Sequence, residues 1–78
     1  MVIWMKEKFH NNYKRVGPNV AYYRKLCGFT QEQLAEKLGV DRTTVSKIEQ
    51  AFVGMSLDLL FEMAEIFEIT PDKLLEMR

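Results

Sequence analysis

Apolar residues recur along this chain at steps of three and four. No stretch alternates apolar with polar residues convincingly enough for a strand. The pattern predicts an all-α fold of five helices, at about 18–27, 31–38, 42–50, 57–67 and 71–77. Gly17-Pro18 opens the first, Val20, Tyr23 and Leu26 space its inner face, and Gly28 closes it. In the second, Leu34, Ala35 and Leu38 face inward. Thr30 and Gln33 make a capping box there, and Gly39 permits the sharp exit. Asp41 can cap the third, whose inner side is Val45 and Ile48, with Phe52 beyond its end. Ser56 can cap the fourth and Thr70 the fifth, where Pro71 suits the first helical position.

The outward faces carry the functional information. On a wheel of about 100° per residue, Thr43, Lys47 and Gln50 point away from the inner side of the third helix. Ser46 and Arg42 flank them on one edge and Thr44 on the other, so the face is polar and cationic with no carboxylate at its centre. Taken alone, such a face is an ordinary solvated surface. The fourth helix has two apolar stripes. Leu57, Leu60, Phe61, Ala64 and Phe67 suit a core; Leu59, Met63 and Ile66 lie on another side. Either the helix is buried all round, or the second stripe meets another subunit together with Leu74, Leu75 or Met77. A domain this small has little material to cover both sides, which favours the subunit contact.

Composition narrows the field. Seventy-eight residues allow one domain with one modest core, and 47% apolar residues exclude wholesale disorder. The formal net charge is zero, which speaks against a nucleic-acid partner. Its distribution weakens that objection. Residues 1–50 hold nine Lys/Arg against five Asp/Glu, a balance of +4, and residues 51–78 hold two against six, a balance of −4. The chain can therefore still present a basic face. Cys27 has no partner for an internal disulfide, in keeping with a reducing cytoplasm. No apolar run reaches membrane-spanning length. Residues 1–5 are too short for a signal peptide, and their charges follow the apolar residues. His10 and Cys27 cannot make a zinc site by themselves. There is no Gly-rich phosphate cradle, no nucleophile–base spacing and no catalytic carboxylate pair. Neither an enzyme nor a cofactor is expected.

Two short helices joined by a Gly-containing turn, within Thr30 to Gln50, make a helix-turn-helix signal. Small Ala35 lets the helices approach, while Val40 and Val45 lock turn and second helix onto the core. The outer face is then free to enter a major groove. The run from Phe29-Thr-Gln-Glu-Gln-Leu-Ala to Val45-Ser-Lys-Ile-Glu49 resembles the phage-repressor/Cro-like, or XRE, helix-turn-helix family. The likeness continues through Ser56 to Ala64 and Ile69 to Leu75, and so covers most of the chain from about Val16 to Met77.

The resemblance implies a transcriptional regulator that binds double-stranded DNA, as a homodimer on a palindromic operator. It places Gln31 on a phosphate, where the helix N-terminus suits an anion. It places Arg42, Thr43, Ser46 and Lys47 among bases and Thr44 near the groove edge, with Gln50 on the same face. It makes Arg24 and Glu49 a partly buried ion pair between the first helix and the end of the third. The sequence departs from the family in the loop Gln50 to Met55, which holds no cation. Phosphate contacts there rest on backbone amides or are lost. That bare loop and the neutral charge favour a second reading, a protein-binding module of the same fold, antitoxin-like or an adaptor, with a protein partner and weak DNA binding. Residues 13–78 form the expected domain. Residues 1–12 lie outside the likeness, as an arm on DNA, a dimer contact or a tail.

Overall fold

The computed structural model describes residues 10–50 and 55–76, with side chains from residue 15 onward. These residues form α1 (His10–Leu26), α2 (Gln31–Leu38), α3 (Arg42–Glu49) and α4 (Leu57–Phe67), then a 3-10 turn at Pro71–Leu75. No strand occurs among the described residues. The fold is all-α, but with four α-helices where the sequence predicts five.

The last predicted helix, 71–77, is only that five-residue 3-10 turn. The Thr70 side chain makes no capping bond, and α1 claims the end of the segment for itself. Buried Asn19 donates through Nδ2 to the Leu74 carbonyl at 3.0 Å and to the Glu76 carbonyl at 2.8 Å. Glu76 is extended, at φ −64° and ψ 141°, so the chain leaves the helical path where Asn19 holds it. Met77 lies outside the described residues.

At the other end, α1 begins at His10 and not at Pro18. It runs across the expected boundary at residues 12 and 13, while residues 1–9 lie outside the described residues. A proline inside a helix forgoes one backbone bond, so Gly17-Pro18 reads locally as a start. Here Pro18 is interior and Gly17 serves another purpose. A methyl group built on Gly17 would fall 2.5 Å from the Glu49 carbonyl oxygen and 2.7 Å from that of Ile48. Gly17 is the point where α1 lies directly on the backbone at the end of α3.

The remaining boundaries follow the caps. Thr30 and Gln33 form the reciprocal capping box at α2, and Gly39 ends that helix in the left-handed conformation at φ 74°. Ser56 accepts from the Leu59 amide at the start of α4. The core joins all the elements through Val20 of α1, Leu34 and Leu38 of α2, Val45 and Ile48 of α3, Phe67 of α4 and Leu74. Tyr23 of α1 stacks against Phe67 with ring centroids 6.4 Å apart.

The orientation of α4 corrects the sequence reading. Leu60, Met63, Ala64 and Phe67 are its buried side. Met63 and Leu74, expected at a subunit contact, are both fully buried in the domain's own core at 0% exposure. Leu57 and Phe61, expected in the core, are 67% and 52% exposed. Leu59 and Ile66 are partly buried against the core edge. Leu26, expected on the inner face of α1, is also exposed. A helix apolar over so much of its circumference does not fix its own rotation. The wide stripe allows either edge to turn inward, and here the Met63 edge is the one buried in the shared core.

Candidate nucleic-acid interface

The helix-turn-helix is built from α2, the turn Gly39-Val40-Asp41 and α3. Ala35, only 3% exposed, leaves room for the helices to cross closely. The Val40 amide returns to the Ala35 carbonyl at 3.0 Å, closing α2, and the Val40 side chain packs against the core. Asp41 then starts α3. Its Oδ1 accepts from the Thr44 amide at 2.9 Å and from the Thr44 hydroxyl at 2.7 Å. These two bonds hold the Asp41 carboxyl below its ordinary value of 3.8, with a smaller contribution from the charge of Lys47.

With Val45 and Ile48 turned inward, α3 presents Arg42, Thr43 and Lys47 to solvent. No hydrogen bond or ion pair among the described residues engages those three side chains. Thr44 is half-buried, and its only hydroxyl hydrogen goes to Asp41. It can accept from a base but has no hydrogen left for a phosphate. Ser46 is half-buried and accepts from Gln50 Nε2 at 3.0 Å, so its own hydrogen stays available. Gln50 is exposed just beyond the last turn of α3, which closes at Glu49.

The predicted pair of Arg24 and Glu49 is present. Arg24 Nε donates to Glu49 Oε2 at 2.6 Å and Nη2 to Oε1 at 3.3 Å. Nη1 reaches the Phe29 carbonyl at 2.8 Å, so one guanidinium ties α1 to both the start of α2 and the end of α3. Its fork geometry matches the carboxylate with two roughly parallel bonds. Gln31 joins the same group, donating from Nε2 to Glu49 Oε1 at 2.9 Å. That third member is absent from the sequence reading. Nothing in the spacing of residues 31 and 49 signals it, because the contact depends on how α2 crosses α3. Asn19 and Gly17 were also missed as anchors. A polar residue beside Val20 on the inner side of α1 was the available clue for Asn19.

The charge pattern is local. Arg42 and Lys47 on α3 are exposed without a described partner, as are Arg15 and Lys25 on α1, while Glu32 and Glu36 are exposed one turn apart on α2. Gln31 and the outer face of α3 are therefore the part of the unit suited to a polyanion. Among the described residues, no group of three His, Cys, Asp or Glu side chains is placed to hold a metal ion. None of the described helices is long and apolar enough to cross a membrane.

Comparison with known proteins leads the same way. A helix-turn-helix family model matches residues 20–74. An uncharacterized HTH-type transcriptional regulator of Methanocaldococcus jannaschii is 48% identical over 48 residues, covering 62% of this chain and 73% of that protein. One from Archaeoglobus fulgidus is 40% identical over 45 residues, covering 58% and 64%. Among solved structures, the restriction-modification controller protein C.AhdI of Aeromonas hydrophila superposes with a TM-score of 0.79. It is 26% identical, over 87% of this chain and 99% of that one. The hypothetical transcription factor NHTF from Neisseria gives 0.77 at 29% identity, covering 83% and 75%. The match spans both helices of the motif and the helices that brace them, and the chain belongs to the XRE-like helix-turn-helix family of transcriptional regulators.

Proposed function

We propose that this DNA-binding transcriptional regulator reads duplex DNA with the outer face of α3 in the major groove. Arg42, Thr43, Ser46 and Lys47 meet base edges, while Gln31 contacts a phosphate. Thr44 and Gln50 lie at the rim of that surface. The carrying observation is that Arg42, Thr43 and Lys47 project together from a helix whose other side is pinned in the core, with none engaged by a described internal partner. Arginine and lysine suit the guanine acceptors, and the threonine methyl suits thymine. Arg24 and Glu49 hold the helices that present this face.

The active form is a homodimer on a palindromic operator, in which two copies of α3 occupy successive major grooves. Leu57, Phe61 and Leu75 support that part, because three large apolar side chains stand exposed on α4 and the 3-10 turn of a small domain. Leu59 and Ile66 border the same helix's core side. Residues 13–78 act as the DNA-binding domain, in the cytoplasm. Regulators of this family are not enzymes, and control comes through the protein's own concentration, promoter competition or a protein partner.

Selection of bound duplexes from a random pool tests the reading and reports half-site spacing. Lys47→Glu is expected to abolish specific binding with the helical circular dichroism unchanged; undiminished affinity would remove α3 as the reading surface. Sedimentation of Phe61→Glu is expected to show a monomer where the unaltered chain is a dimer. A monomer for both, free and on DNA, would end the dimer proposal.

A further inference from the structure

The contact between Gln31 and Glu49 has a directional consequence. Gln31 Nε2 lies 2.9 Å from Glu49 Oε1. A carboxylate only accepts, so the amide nitrogen, and not the amide oxygen, must face it. That nitrogen carries two hydrogens, and Glu49 takes one. A phosphate is likewise only an acceptor, so the second hydrogen is the one part of the Gln31 amide that can meet a phosphate. An unanchored glutamine would lose rotamer freedom on forming that bond, whereas an anchored one has already lost it.

Arg24 makes the anchor tolerable beside a polyanion. A bare carboxylate at this place would repel the phosphate that Gln31 is to bind. Here two guanidinium nitrogens neutralise it, at 2.6 and 3.3 Å, and the side chains of Arg24 and Glu49 are only 10% and 8% exposed. The pair therefore stays together under the surface while Gln31, half-buried, reaches out of it. We infer that Glu49, held and neutralised by Arg24, is a positioning residue that fixes the Gln31 amide with its second N–H turned to a single DNA phosphate. The inference rests on the DNA-binding reading above and adds to it which residue sets the phosphate contact.

Glu49→Gln is the informative change. It leaves one oxygen, which Arg24 Nε takes at the shortest distance, and sets an amide nitrogen opposite Gln31. The Gln31 amide must then turn over to offer its oxygen. The test uses the full chain and a duplex recovered from the random pool, with one backbone phosphate at a time replaced by a neutral methylphosphonate. The unaltered protein is expected to lose about tenfold in affinity at one phosphate per bound domain, a penalty that Gln31→Ala removes. Glu49→Gln is expected to remove the same penalty and leave base preference and the other phosphates as they were.

A Glu49→Gln protein that keeps the penalty overturns the inference. So does one that weakens every position alike, since a purely structural role acts without regard to position. Should Glu49→Gln melt below the assay temperature, Glu49→Asp carries the same readout. It keeps a charge for Arg24 and withdraws the carboxylate from Gln31 by one methylene. Binding that Lys47→Glu abolishes but Gln31→Ala leaves intact would sink this inference and spare the DNA-binding reading. Failure to recover any duplex would sink the reading itself.

Discussion

Gly17→Ala sets two physical expectations against each other. Helix propensity favours the alanine by about 1 kcal/mol in a helix interior, and Gly17 lies well inside α1. Packing opposes it. The added methyl would stand 2.5 Å from the Glu49 oxygen, 2.7 Å from the Ile48 oxygen and 2.8 Å from the Glu49 carbonyl carbon. All three are backbone atoms, so no side chain can swing aside. Ordinary contact needs roughly 3.5 Å, and α1 must therefore back away from α3 by about 1 Å. Overpacking of this kind costs about 1–3 kcal/mol. The same displacement pulls at the bonds between Arg24 and Glu49, made across the same helix pair, and breaking such a buried pair costs about 3–5 kcal/mol. Packing wins, with a net loss of about 2 kcal/mol. For a domain of this size that lowers the melting temperature by roughly 8–16 °C. Thermal unfolding followed by circular dichroism measures it. A Gly17→Ala protein that melts at or above the unaltered one would show that α1 does not rest on the α3 backbone as described.

Two further changes probe the parts around the site. Asn19→Ala removes the donor to the Leu74 and Glu76 carbonyls and is expected to cost about 1–2 kcal/mol; hydrogen exchange should accelerate first at Lys73, whose amide closes the 3-10 turn onto Thr70, and unchanged exchange there would refute the tie. The Asp41 carboxyl has its pKa lowered in the folded protein by Thr44, so its stabilisation is present above the ordinary value of 3.8 and is lost as pH falls through the lowered folded value. The stability difference between the unaltered chain and Asp41→Asn should therefore be constant near neutrality and shrink as pH falls below about 4, and a difference that changes near neutrality would contradict the capping geometry.

The motif was legible because its causes are local. Thr30 and Gln33, Gly39, Asp41 and Ser56 each satisfy backbone groups within three or four residues, so sequence alone places both ends of α2 and the starts of α3 and α4. The outward set of Arg42, Thr43 and Lys47 follows from periodicity on a helix with only one apolar side. Where the sequence reading failed, the deciding partner was distant in the chain. Pro18 looks like a helix start until Gly17 is seen against Glu49, thirty-two positions later.

The chain by itself determined an all-helical domain, the helix-turn-helix and the polar face that α3 turns to solvent, since spacing and caps carry that information. Only the tertiary structure decided which edge of α4 is core, because Leu57 and Phe61 compete with Met63 on equal hydrophobic terms and shape, not polarity, separates them. It also decided that Asn19 ties down the end of the 3-10 turn and that Glu49 holds Gln31 as well as Arg24. Those bonds join groups brought together only when α1, α2 and α3 cross, and no local pattern specifies a crossing.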